Sequence, residues 1–287
     1  MMARETHGMA SAPSWPDGKQ FAVFVNVAFE AWGPGRTPGV SPMGNPLPPG
    51  LFDSTARSWG DYGFTCGVWR ILEVLRAQQV RATFLTSGIL TELAPDAVTA
   101  IAEGGHAICA HGWSQDEFGV GLDPERERAT IVATRDALAA TAGAPPQGWS
   151  YPRATCGPNT ARLLADEGFR WFADRLDHDH AYLDPEDPQR RILALPFTME
   201  VNDLPTRMKY GFPADVLEQA FDQTLAATRR FADGRLHFDV TVHAHLSGRP
   251  LGAYYFERIL DKVRSLDDCW VTTRDEAADY VRASLSA

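Results

Sequence analysis

Apolar positions along the chain fall into two alternating rhythms, short runs of strand type and longer amphipathic runs of helix type. Phe21 to Ala28 reads as a strand. Cys66 to Gln78 predicts a helix, because Val68, Ile71, Leu72 and Leu75 recur at helical spacing. Ala82 to Thr86 is the next strand, and Ala94 to Glu103 a helix stopped by Gly104-Gly105. His106 to Ala110 is a strand. Asp123-Pro124 then starts a long helix running to Ala142, with Asp as N-cap and Pro in the first turn. Gly148 to Tyr151 is a strand, and Pro158 to Glu167 a helix closed by Gly168. Arg170 to Leu176, Ile192 to Phe197 and Phe238 to Val242 read as strands, with a helix from Ala214 to Ala232 before the last of them. Tyr254 to Ser265 is a helix, Cys269 to Thr272 a strand and Asp275 to Leu285 a final helix.

Strand followed by helix, repeated about seven times, predicts an α/β fold with a parallel sheet and helices outside. No Gly-x-Gly-x-x-Gly follows the first strand, which argues against an open dinucleotide-binding sheet. The expectation is a distorted, TIM-like (β/α) barrel of about seven parallel strands. The Pro/Gly-dense segment Gly33 to Trp59 is too long for a simple βα turn and is expected to be a lid or an interface loop. No linker divides the chain, so residues 20–287 are expected to form one domain and residues 1–19 a flexible N-terminal segment.

Composition narrows the class. At 287 residues and 44% hydrophobic, the chain can bury the core of one large domain. A net charge of −10 disfavours nucleic acid and anionic membranes as partners. The four cysteines form no Cys-x-x-Cys pair and are expected to be reduced, mostly buried thiols. Met1 to Lys19 contains no apolar run, so no signal peptide is expected, and no stretch approaches the roughly 20 apolar residues of a membrane span. A cytoplasmic protein acting on a small-molecule substrate is the reading that results.

In a parallel barrel the catalytic groups sit at the C-terminal ends of the strands. The first predicted strand delivers Asn26 and Glu30 there, the second Thr86 and Ser87, and the third His111 with Gln115, Asp116 and Glu117 beyond it. The fourth delivers Arg153, the fifth Asp174 and Asp177-His178-Asp179-His180, the sixth Glu200, Asn202 and Asp203, and the seventh His243 and His245. Each has a plainer reading. Glu30 fits a solvated loop carboxylate, His111 a satisfied core histidine, and the Asp177 to His180 run a polar loop or, given its residue types, a zinc or manganese ligand loop. His243 and His245, two apart on a strand, share one face. His106 and His237 begin their strands and belong to the far rim.

Several pieces recur in a specific order. They are Tyr62-Gly63-x-x-x-Gly67-Val68-Trp69-Arg70, Gly105-His106-x-Ile108 leading to His111-Gly112-Trp113, and Gly148-Trp149-x-x-Pro152-Arg153 with Pro158-Asn159-Thr160. Asp177-x-Asp179-x-x-Tyr182, Leu195-Pro196-Phe197-Thr198 with Asn202-Asp203, and Val242-His243-x-His245-Leu246-x-Gly248-Arg249-Pro250 follow. From Phe21 to Val281 the chain resembles the polysaccharide-deacetylase (NodB-homology, carbohydrate esterase family four) superfamily. The nearest branch is the cytoplasmic one of metal-independent allantoinases and cyclic imide hydrolases. The resemblance implies two acids at the end of the first strand and a pair of histidines four apart on the second motif. Here Asn26 and Ala28 stand at the acid positions, leaving Glu30, and Gln115 stands at the second histidine. Of the implied metal ligands only His111 survives, while zinc sites need three protein ligands or more. No metal is therefore expected; zinc or another divalent ion on His111 and Glu30 is the alternative. Ser114 and His245 stand where related allantoinases carry Arg, which puts allantoin itself in doubt.

The reaction implied is hydrolysis of a carbon–nitrogen bond other than a peptide bond. It needs an activated water, a donor to the oxyanion and an acid for the leaving nitrogen. Glu30 or Asp203 is the expected base and His243 the acid, with His111 orienting the carbonyl or the water. Arg153 and Asn26 supply donors, and Gln115, Asp177, Asp179 and His245 complete substrate binding. Two alternatives stay open: a metal-dependent N-deacetylase with an altered ligand set drawn from His111, Glu30 and the Asp177 to His180 loop, and a non-catalytic small-molecule-binding homologue. The resemblance further implies a homo-oligomer, a dimer or tetramer, with the Pro/Gly-rich segment as interface.

Overall fold

The structure is a computed structural model that describes residues 14–44, 47–48, 50–189 and 191–285. Its centre is β1 (Phe21–Phe29), buried along its whole length. Side chains alternate across a strand, so β1 serves two cores at once. Phe21, Val23, Val25, Val27 and Phe29 face outward and pack against helices, while Ala22 and Phe24 join Leu85, Cys109, Trp171 and Leu195 inside the curled sheet. Asn26, Ala28 and Glu30 continue the inner row.

After β1 come α1 (Ser54–Tyr62), a π-helical turn (Gly63–Gly67), α2 (Val68–Gln78), β2 (Thr83–Thr86), α3 (Leu90–Leu93), α4 (Pro95–Glu103), β3 (Ala107–Ala110), α5 (Pro124–Ala142) and β4 (Gly148–Trp149). The second half holds α6 (Thr160–Asp166), β5 (Trp171–Phe172), β6 (Tyr182–Leu183), β7 (Leu193–Ala194), β8 (Val201–Asn202) and α7 (Val216–Phe231). It ends with β9 (His237–His243), α8 (Ala244–Ser247), α9 (Pro250–Arg264), β10 (Cys269–Thr272) and α10 (Arg274–Leu285). The sheet order is β6-β7-β5-β4-β3-β2-β1-β9-β8, with β10 beside the first half of β1 and β2 beside its second half. Among these strands all pairings are parallel except β6 with β7.

The expected irregular α/β barrel is present, with its ring open between β6 and β8. Two edges differ from the sequence reading. Arg170 to Leu176 and Ile192 to Phe197 pair as two-residue strands only, and β6 and β8 form in stretches where the sequence reading placed no strand. Across the opening, Arg274 substitutes for strand pairing. Its guanidinium, fully buried, donates to Leu195 O at 2.8 Å, Pro196 O at 3.3 Å, Asn26 Oδ1 at 3.3 Å and Asp239 Oδ1 at 2.5 Å. Asp239 in turn accepts from Thr198 N at 2.7 Å, tying β9 to the segment after β7.

Two expectations about the termini of elements are revised. The N-terminal segment was expected to be flexible to residue 19; residues 1–13 lie outside the described ones, but Trp15 is 1% exposed, meets the rings of Phe24, Trp270 and Tyr280, and donates Nε1–H to Leu236 O. The long loop after β1 ends earlier than Trp59, because Asp53 caps α1 by accepting from Ala56 N. Arg57 on α1 then draws the loop back by donating to Trp32 O, Gly33 O and Arg36 O. Among the described residues no helix is long and apolar enough to cross a membrane.

Candidate active site

Glu30 lies one residue past β1 on the inner face, where β2, β3 and β9 also end. His111, one residue past β3, donates Nδ1–H to Ser150 O at 2.7 Å. A carbonyl only accepts, so this bond fixes the tautomer and leaves the Nε2 lone pair turned inward. That Nε2 is 3.4 Å from Glu30 Oε1. His243, the last residue of β9, presents Nε2 from the opposite side at 3.8 Å from the same oxygen. Gln115 Nε2 donates to Glu30 Oε1 at 2.9 Å, and its own backbone N–H donates to Ala31 O at 2.8 Å, which holds the loop after β3 against the end of β1. Glu30, His111, His243 and Asp203 thus converge from separate strands.

Asp203 has a different task from the one expected. It is fully buried and accepts from His243 Nδ1 at 2.6 Å, from His243 N at 3.0 Å and from the hydroxyl of Ser247. A carboxylate so engaged orients the imidazole; it has no lone pair aimed at a water beside Glu30. Of the two carboxylates, Glu30 is the one with an oxygen, Oε2, that has no hydrogen-bond partner.

The electrostatics follow from burial in a shared pocket. Burial alone would raise the Glu30 carboxyl, but opposing influences led by the charge of the neighbouring His243 outweigh it and bring the pKa down to about 2. Burial alone would lower His243, but Glu30 and Asp203 outweigh it and raise the pKa above the usual imidazole value. Each group therefore favours the charged form of the other, a carboxylate facing an imidazolium. His245 lies just beyond, edge-on to Trp59 at 4.5 Å between centroids and to His243 at 5.6 Å. Burial first, and then the His243 charge, bring its pKa down to about 4, so it is a neutral ring at pH 7, and its Nδ1 has no partner. It sits in the one-turn α8, not on the strand, because β9 ends at His243.

Other expected site residues lie elsewhere. Asn26, on the inner row below Glu30, is fully buried and spends its amide downward, donating to Asp239 Oδ1 at 2.7 Å and Thr241 Oγ1 at 3.3 Å while accepting from Arg274. No donor remains for a substrate, which removes it from the binding set. Asp177 and Asp179 are exposed on the loop after β5, with Asp177 accepting from Tyr182 OH at 2.9 Å. They line an open cleft of about 410 Å³ with His178, Phe197, Thr198 and Glu200, a lining that contains none of Glu30, His111, Asp203 or His243. Arg153 is exposed after β4 with a left-handed backbone (φ 59°); Ala154 is left-handed too (φ 53°), and this strained pair begins three residues beyond Ser150, whose carbonyl holds His111.

The donor set does not fit a metal ion. Ala28 offers nothing, Gln115 turns its NH₂ toward Glu30, and His178 lines the other cleft, with its Nδ1 accepting from His180 N. Among the described residues no three His, Cys, Asp or Glu side chains are grouped as an ion's ligands. Sequence reasoning missed Ser150, Ser247, Trp32 and Trp59. Ser247 was reachable: it follows His243 by four residues in a motif already singled out.

Residues 54–172 match the polysaccharide deacetylase family. A Schizosaccharomyces pombe protein assigned to the polysaccharide deacetylases is 24% identical, with 96% of this chain and 95% of that protein covered. A Helicobacter pylori peptidoglycan deacetylase is 22% identical, covering 78% of this chain and 87% of its own. The crystal structure of the allantoinase PuuE matches with a TM-score of 0.85 at 27% identity, over 95% of this chain and 93% of that one.

Proposed function

From the match of residues 54–172 to the polysaccharide deacetylase family and of the fold to an allantoinase, we propose that the protein hydrolyses a non-peptide carbon–nitrogen bond of a small N–H-bearing substrate, a ureide or a cyclic amide or imide, by acid–base catalysis without a metal ion. The observation that carries this reading is Glu30, a buried carboxylate with one oxygen unpartnered and two imidazole Nε2 atoms turned toward the other. Glu30 Oε2 takes a proton from water as the water oxygen attacks the carbonyl carbon. His111 Nε2 accepts the water's second hydrogen and sets its line of approach. His243 delivers its proton from Nε2 to the nitrogen as the C–N bond breaks, so one proton enters Glu30 as one leaves His243.

The depressed basicity of Glu30 is consistent with this order. It depends on the His243 charge, so the carboxylate regains strength as His243 gives up its proton. The substrate class rests on what is left unpaired. Glu30 Oε2 and Gln115 Oε1 are acceptors without donors, which suits N–H groups flanking the scissile carbonyl. Glu30, His111 and His243 are 3%, 4% and 5% exposed, an opening that favours a small molecule over a polymer. The allantoinase neighbour points the same way.

The test is a panel of ureides, hydantoins, cyclic imides and N-acetyl sugars, assayed before and after dialysis against a chelator. Turnover of a ureide or cyclic amide, unchanged by chelation, is the expected result. Activity that needs stoichiometric zinc would overturn the metal-free mechanism, and saturable binding with no turnover would make the protein a binding homologue.

A further inference from the structure

The geometry points to Ser247 as a positioning residue whose hydroxyl locks the Asp203 carboxylate and thereby the orientation of His243. The inference rests on His243 being the proton donor of the proposed reaction. Asp203 Oδ1 takes the His243 Nδ1–H, and Oδ2 takes the Ser247 hydroxyl, while the His243 backbone N–H reaches both oxygens at 3.1 and 3.0 Å. Without the hydroxyl, the carboxylate keeps donors from His243 alone and is free to rotate about its last bond. With it, both oxygens are assigned and the ring plane is fixed.

The chain around Ser247 is held too tightly for the hydroxyl to wander. Ser247 is 1% exposed at the end of α8, four residues past His243, so one helical turn carries it back beneath the imidazole. The turn is clamped by backbone-to-backbone packing on the π-helical segment. A Cβ at Gly67 would lie 2.0 Å from Ala244 O, and one at Gly248 would lie 2.2 Å from that oxygen and 2.4 Å from Gly67 Cα. Arg70 adds a bond to Gly248 O and another to Tyr62 OH at 2.7 Å, and Arg249 lies 4.0 Å over the Tyr62 ring. π-Helical turns of this kind cluster at functional sites. The other groups facing His243 are Glu30, His111 and His245, none of which touches Nδ1.

The experiment reads the His243 Nδ1–H proton directly, by NMR of protein labelled with ¹⁵N-histidine, so it needs no substrate and stands apart from the fate of the hydrolase reading. In the natural protein this proton is expected as a slowly exchanging, downfield resonance. Ser247→Ala is expected to speed its exchange by at least about tenfold, the scale of one hydrogen bond to a charged group, with thermal stability retained. Ser247→Cys, a near-isosteric but weak donor, is expected between the two. Exchange in Ser247→Ala equal to that of the natural protein would overturn the inference. Should the alanine variant not fold, a cysteine variant indistinguishable from serine would overturn it equally.

Discussion

Two polar clusters share the inner face of β1, four residues apart, and they differ in one respect. Around Asn26 the charged and amide groups are paired: Arg274, Asp239, Asn26 and Thr198 exchange bonds and close the gap in the sheet. Around Glu30 the count does not close, with Glu30 Oε2, Gln115 Oε1 and His245 Nδ1 left without partners in an equally buried setting. A buried polar group without a partner is costly, so such groups persist where something else repays the cost. On the proposed reading, the lower cluster is architecture and the upper one is left incomplete for a ligand. Charge alone does not separate them, since each contains a buried carboxylate beside a cation.

The sharpest way to break that comparison is to alter one member of each. Glu30→Gln is expected to lower turnover of whichever panel compound is hydrolysed by about 10²–10⁴-fold, the contribution of one acid–base group. Its midpoint of urea unfolding at pH 7 should fall, because the fold favours the ionised carboxylate beside His243, but by less than that of Arg274→Met, since His243 keeps its bond to Asp203. A variant that keeps its activity would remove Glu30 from the mechanism. Arg274→Met should reverse the balance, costing about 3–5 kcal/mol of stability by stranding Asp239. Where the variant still folds, its kcat should fall far less than that of Glu30→Gln. Asn26→Ala should cost about 1–3 kcal/mol by unpairing Asp239 and Arg274, again with little change in kcat; a large kcat loss at unchanged KM would return Asn26 to the site.

The same contrast explains what was legible from sequence. The alternation of β1 was, and so was the gathering of Glu30, His111 and His243 at strand ends, because strand direction dictates which end a residue reaches. The distinction between Asn26 and Glu30 was not. Both lie at even spacing on the same face, and only the position of Arg274, 248 residues away in sequence, decides which amide or carboxylate is already occupied. Asp203 was one of two candidate bases, and that its oxygens are already taken was not legible for the same reason: its partner Ser247 arrives through a helical turn that the strand pattern of His243 and His245 did not predict. Asp177 and Asp179 were placed by chain order at a strand end, yet β5 pairs over two residues only, so the loop beyond it opens onto another cleft.

The smallest effect expected concerns His245, and it sharpens the boundary of the upper cluster. Its pKa in the folded protein is about 4, below the usual imidazole value of about 6.5, chiefly through burial. Between those two values the unfolded chain carries the proton and the folded protein does not. Stability therefore rises with pH through this window, is complete above it, and is lost as pH falls from about 6.5 toward 4. His106, also brought down to about 4 by burial and by Arg81, contributes a second slope of the same sign on the far rim. Replacing His245 by Phe, which suits its position edge-on to Trp32 and Trp59, should flatten the stability profile between pH 4 and 6.5 by up to about 1.4 kcal/mol per pH unit, leaving the His106 slope in place. Urea unfolding at pH 4.5, 5.5, 6.5 and 7.5 reads the difference. A profile as steep as that of the natural protein would mean that His245 takes up its proton without unfolding, and so that its free Nδ1 is open to water within the site.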